Sequence, residues 1–182
     1  MSESSGRVRI WNTFFKLTWN EAKSLFEATT GTESSKQFDP LGGTLDEQDF
    51  HTLATLVLCN LAIEARANHL IEELVEKKEI TREVGDAAQR LNTKHKWFLL
   101  PCLARVSVSL ESDCGPHQSI AQICAVRDSL MHVNFADLQK KLPKADTMLS
   151  LFSRFVEAME DMNVVLGRVQ KARDEVLKLG KF

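Results

Sequence analysis

A chain of 182 residues, 43% hydrophobic and 26% charged, is long enough to bury a sizeable core and has the makeup of an ordinary globular protein. Its formal net charge of -2 excludes a global basic field, so nucleic-acid binding has to come from a local patch. The polar stretch Met1–Ile10 has no hydrophobic leader, and no apolar run approaches the roughly 20 residues that span a bilayer, so the expectation is a cytoplasmic protein with no membrane partner.

In chain order, Ile10, Phe14, Leu17 and Leu25, widened by Trp11, Phe15 and Phe26, predict a first helix over 10–30. Gly31 and the run Asp39-Pro-Leu-Gly-Gly43 make 31–45 a connecting loop, too short to divide the chain into domains, so 1–182 reads as one unit. Thr44-Leu-Asp-Glu47 has the spacing of a capping box with Thr44 as N-cap. A long second helix follows to about Lys78, its seam formed by Leu53, Leu56, Val57, Ile63, Ala67, Leu70, Ile71, Leu74 and Val75. Asn60, Glu64 and Asn68, four residues apart, share a polar stripe beside that seam.

Thr81 and Val84 open a short helix to about Asn92, and another helix runs from about Lys94 to Leu110, bent or broken before Pro101. Val106 to Leu110 is the one short stretch of strand-like alternation. A loop ending near Pro116 leads into a helix over 117–133 that buries Ile120, Ile123, Cys124, Leu130 and Met131. After Leu142-Pro143 a last long helix starts near Ala145, with Met148, Phe152, Phe155, Met159, Leu166, Val169 and Val176 along it, and ends before Gly180. The whole is an all-α protein, an antiparallel helical bundle.

Cys59, Cys102, Cys114 and Cys124 contain no C-x-x-C pair and read as free thiols packed as small hydrophobes. Zinc spacing, a P-loop, G-x-G-x-x-G, G-x-S-x-G and E-x-x-H are all missing, so no metal and no cofactor are expected. The basic C-terminus, with Arg168, Lys171, Arg173, Lys178 and Lys181, reads first as a solvated helix end.

The informative segment is Arg127-Asp128-Ser-Leu-Met-His132, late in the 117–133 helix. It resembles the R-[N/D/H]-x-x-x-H signature of the HEPN family (higher-eukaryote and prokaryote nucleotide-binding domain). Arg90 and His95 repeat the bare spacing, but Leu91 follows that arginine where the signature has a polar residue. Upstream, Leu61-Ala-Ile-Glu64-Ala-Arg-Ala-Asn68-His-Leu is similar to the long HEPN helix that reads roughly LEA-x-x-N-x-L, and Leu91-Asn-Thr-Lys94-His-Lys-Trp97 to a lysine-bearing turn between the two. The resemblance covers about residues 50–135; the first and last helices match only as helices.

It implies a homodimer formed through the 117–133 helix and a composite Arg/His site. In catalytic members that site cleaves RNA without metal, leaving 2′,3′-cyclic phosphate and 5′-hydroxyl ends, in toxin or defence settings with a cognate antitoxin or other protein as partner. On that pattern Arg127 and His132 are the catalytic candidates, with Asp128, one helical turn before His132, orienting the imidazole. Glu64, Asn68 and Lys94 are candidate binding residues. An imidazole titrating near neutral pH moves protons, and a guanidinium offers paired donors to phosphate oxygens. Arg127 and His132 diverge by about 140° on an ideal helix, so convergence needs a second copy about a two-fold axis. Three alternatives stay open: Arg127 paired simply with Asp128 or with an acid on a neighbouring helix, a non-catalytic HEPN-type module that binds nucleotide or protein, and an unrelated helical adaptor.

Overall fold

The computed structural model describes residues 10–31, 46–106, 115–131, 133 and 135–166. Among these the regular structure is entirely helical: α1 (Ile10–Thr30), α2 (Glu47–Glu76), α3 (Arg82–Gln89), α4 (Thr93–Leu103), α5 (Gly115–Met131), α6 (Phe135–Lys141) and α7 (Ala145–Val165). No helix among the described residues is long and apolar enough to cross a membrane.

The central element is α2. Its buried positions, among them Leu56, Cys59, Ile63, Ala67, Leu70, Ile71 and Leu74, recur at helical spacing and pack with α1, α4, α5 and α7 into one hydrophobic cluster. Contacts between α1 and α2 run in reverse order along the two helices: the Trp11 ring lies 6.5 Å from that of His69 and under the Arg66 guanidinium, while Gln48 reaches Thr29 and His51 Nδ1 meets Glu21 Oε2 at 2.8 Å. Arg66 is itself buried and also donates to Asn163 on α7 at 2.7 Å, which ties the three helices with a side chain that caps their apolar seam. From α7 come Met148, Phe152, Phe155, Met159 and Met162, all buried, and the Phe155 ring packs 5.6 Å from that of Phe15 on α1, tilted by 34°.

Several expectations are corrected. The N-cap of α2 is Asp46, whose carboxylate accepts from Asp49 N at 2.7 Å, in place of Thr44, which lies outside the described residues with the rest of the 31–45 loop beyond Gly31. The buried face of α1 is Phe15, Thr18, Ala22 and Leu25, leaving Ile10, Leu17 and Phe26 exposed. Val57 and Met131 are exposed too. Pro101 does not break α4; the helix carries it in its final turn and stops at Leu103, well short of Leu110. A proline that near the end removes one hydrogen bond where the ladder is about to finish. The short α6 was not anticipated. The continuation of α7 beyond Leu166, with Val169, Val176 and Gly180, and the strand-like residues 107–110 lie outside the described residues.

Two helices end on the same device. At the end of α2, Lys78 N donates to Val75 O at 2.9 Å and Glu79 N to Leu74 O at 2.9 Å, with Lys78 at φ 58. After α4, Arg105 N donates to Cys102 O at 3.1 Å and Val106 N to Pro101 O at 3.0 Å, with Arg105 at φ 55. Both are Schellman caps with a long basic residue where glycine is usual. The cap after α2 turns the chain sharply, and α3 and α4 come back across α2. Gly85 permits the close crossing of α3, because a Cβ there would stand 2.5 Å from Val75 Cγ2.

Candidate functional site

The site is assembled by α2, the start of α4 and the second half of α5. Asn92 caps α4, its side chain accepting from His95 N at 3.0 Å, and this sets Thr93, Lys94 and Lys96 in the first turns. Trp97 Nε1 donates to Ile63 O at 3.0 Å, which pins α4 to the middle of α2. The anchor fixes the register that brings Glu64 of α2 against that first turn.

Glu64 is the hub. One carboxylate oxygen takes the Lys96 ammonium and the Asn68 amide, the latter at 3.3 Å, and the other accepts from the Thr93 hydroxyl. Lys96 is 3% exposed, and its charge is held by Glu64 alone among the ion pairs of the described residues. A buried ammonium of this kind is tolerable only with its carboxylate in place. Asn60, the third member of the polar stripe, turns instead to its own helix and donates to Leu56 O at 2.9 Å.

Beside this network lies a cleft of about 180 Å³ lined by Asn92, Thr93, Lys94, Ala121, Cys124, Ala125, Arg127 and Asp128. Cys124, Arg127 and Asp128 share one face of α5 at spacings of three and four. Ala121 and Ala125 are small enough to leave room between α5 and the start of α4. Arg127 Nε is 3.0 Å from Asp128 Oδ1, an ion-pair contact without hydrogen-bond alignment, since the same buried Nε has no hydrogen-bond partner among the described residues. The pairing of Arg127 with Asp128 is thus present, as one of the open alternatives had it. Asp128 is mostly exposed.

Burial pushes the Cys124 thiol up to about 11, against the lowering influence of Arg127; Asp128 and Glu64 add to the rise and Lys94 opposes it. The thiol is therefore an inert apolar wall at neutral pH. Lys96 neutralises Glu64, so Lys94 and Arg127 face the exposed Asp128 carboxylate beside the N-terminus of α4, where the helix dipole adds positive potential. The cleft can attract an anion although the chain as a whole is slightly acidic.

Of the residues singled out in the sequence, Glu64 and Asn68 meet directly, Lys94, Arg127 and Asp128 line one cleft, and these two groups adjoin through Thr93 and Cys124. His132 lies outside the described residues. Three participants were missed: Thr93, Lys96 and Cys124. Lys96 carries the signal that could have found it, two residues after Lys94 and directly before the buried Trp97. No three His, Cys, Asp or Glu side chains gather among the described residues in a way that would hold a metal ion.

No family model matches the chain, and no curated protein or solved structure is found similar to it.

Proposed function

We propose that this chain is a HEPN-like protein, an antiparallel bundle that pairs through α5 and grips an RNA phosphate in the α2–α4–α5 cleft, acting as a metal-independent endoribonuclease of toxin or defence type. One observation carries the reading: Lys94 and Arg127, thirty-three positions apart, line one cleft whose floor adjoins the Glu64–Asn68 pair, so the separate pieces of the resemblance belong to one place. Chance agreement of three short motifs gives no reason for them to meet.

In this reading Arg127 and Lys94 hold the non-bridging oxygens of the scissile phosphate and take up the charge that builds on them. His132 removes the proton of the ribose 2′-hydroxyl or supplies one to the leaving oxygen, and its counterpart in the second copy does the other. The 2′-oxygen bonds to phosphorus, the bond to the 5′-oxygen breaks, and the products are a 2′,3′-cyclic phosphate and a 5′-hydroxyl. Asp128 holds Arg127 and, four residues before His132, orients the imidazole. Glu64 and Lys96 position the α4 turn that bears Lys94.

RNA cleavage by the full chain in EDTA, with Arg127→Ala and His132→Ala beside wild type, tests this. The expected result is cleavage that survives the chelator and is lost in both variants, with wild-type helicity by circular dichroism. Activity that requires a divalent ion, or that survives both changes, overturns the reading. The Arg127–Asp128 pair favours a second reading, a HEPN-type module that binds nucleotide or protein without cutting, since a guanidinium already paired is less available to a transition state.

A further inference from the structure

We propose that the pocket between α4 and α5 beside His117 is a nucleobase subsite, taking the base of a phosphorylated nucleoside whose phosphate lies on Lys94; this rests on the reading of the neighbouring cleft as a phosphate site. The pocket, about 200 Å³, is lined by Lys94, His95, Trp97, Phe98, His117, Ile120 and Ala121. It shares Lys94 and Ala121 with the cleft of Arg127. The two are adjoining chambers of one groove with a lysine at the junction. Each alone is smaller than the roughly 300–1,000 Å³ of ordinary ligand sites, and together they reach that range.

Three features suit the pocket to a planar heterocycle. Phe98 keeps a large apolar ring 44% exposed at its rim, where burial would be the default. His117 is 6% exposed, and its Nε2 is buried with no hydrogen-bond partner among the described residues. The rings of Phe98 and His117 stand 5.8 Å apart at 62°, edge to face, which lines one small space with two aromatic rings. Burial lowers the His117 pKa, which favours the neutral ring, so the imidazole does not compete with Lys94 for the phosphate. A ring-lined pocket with a phosphate-binding lysine at its edge fits a nucleotide, whose base covers the exposed Phe98 ring, better than a purely anionic ligand, which would leave that ring uncovered.

Calorimetric titration of the full chain with adenosine 5′-monophosphate, ribose 5-phosphate and inorganic phosphate tests the assignment. The nucleotide is expected to bind at least about tenfold more tightly than ribose 5-phosphate. Phe98→Ala should weaken the nucleotide by about 5- to 150-fold, the range of base stacking on an aromatic side chain, and leave ribose 5-phosphate unchanged. Ala121→Leu, which narrows the groove without removing a contact, should abolish the preference, and circular dichroism confirms that both variants fold. The base can come from a free nucleotide or from an RNA chain. A tetra-adenylate that binds more tightly than the monophosphate, and loses that advantage in Arg127→Ala, identifies the chain; equal affinity for both identifies the free nucleotide. No binding of the monophosphate, equal affinity for it and ribose 5-phosphate, or indifference to Phe98→Ala and Ala121→Leu overturns the proposal. Arg127-dependent RNA cleavage without any base preference sinks this pocket and leaves the nuclease reading intact, whereas base-dependent binding without cleavage does the reverse.

Discussion

Replacing Asp128 by asparagine removes a carboxylate that is 64% exposed and stands 3.0 Å from Arg127. Exposed pairs contribute roughly 0.2–1 kcal/mol, so the urea midpoint is expected to move little. The local effect is larger than the global one. With the only exposed acid of the cleft gone, RNA binding at low salt should tighten severalfold and show a steeper salt dependence by filter binding. A loss of several kcal/mol in stability would instead make Asp128 a structural partner. Glu64 behaves in the opposite way. Its partner Lys96 is almost wholly buried, so Glu64→Gln strands an ammonium in the core. Breaking a buried pair costs about 3–5 kcal/mol; with Glu64 itself one-third exposed, about 2–4 kcal/mol is expected from urea unfolding. Lys96→Met should cost clearly less, because the carboxylate left behind reaches water. Equal losses for the two variants would contradict that asymmetry. Thiol chemistry provides a further check: Cys102 is exposed, Cys59 is pushed well up by burial and Cys124 up to about 11, so iodoacetamide at pH 8 should label Cys102 long before either.

At the scale of elements, the two Schellman caps give the cleanest stability test. Lys78 and Arg105 sit at φ 58 and φ 55, a region that costs an L-residue roughly 1–2 kcal/mol relative to glycine, offset in part by the greater freedom of glycine in the unfolded chain. Lys78→Gly and Arg105→Gly should each raise stability by about 0.5–1 kcal/mol, read from thermal or urea unfolding; a loss of that size would mean the long side chains are held by contacts that outweigh backbone strain. The same caps show where sequence patterning runs out. Periodicity located α2, α3, α5 and the start of α7, and the Thr81 cap of α3 was readable from Thr81 and Val84 alone. The end of α4 was not readable, because Pro101 signals a break and the actual stop, at Leu103, is made by backbone hydrogen bonds of Arg105 and Val106 that any sequence can form. The seven residues of α6 are too few to show a period, although Phe135, Leu138 and Leu142 carry its spacing. On α1 the apolar residues outnumber the buried positions, and only the docking against α2 and α7 selects Phe15 and Leu25 over Leu17 and Phe26.

For the molecule as a whole, the helical class followed from patterning, and Lys94, Arg127 and Asp128, each singled out in the sequence, line one cleft. The wall and floor of the site were not visible: Thr93, Lys96 and Cys124 act through tertiary contacts with Glu64 and α5 that no local spacing encodes. The cleft is open and offers one arginine per chain, which fits a site completed by a second copy. Sedimentation at micromolar concentration should give a dimer, weakened by charge or bulk introduced on the exposed positions of α5; a monomer that nevertheless cleaves RNA would remove the composite site. The most direct test is phosphorus NMR of an all-ribose dinucleotide incubated with the full chain in EDTA, next to the same dinucleotide lacking the 2′-hydroxyl at the scissile step. The expected result is a resonance of a 2′,3′-cyclic phosphate growing from the first and none from the second. Turnover of the deoxy substrate, a linear phosphate as first product, or no turnover at all would contradict it.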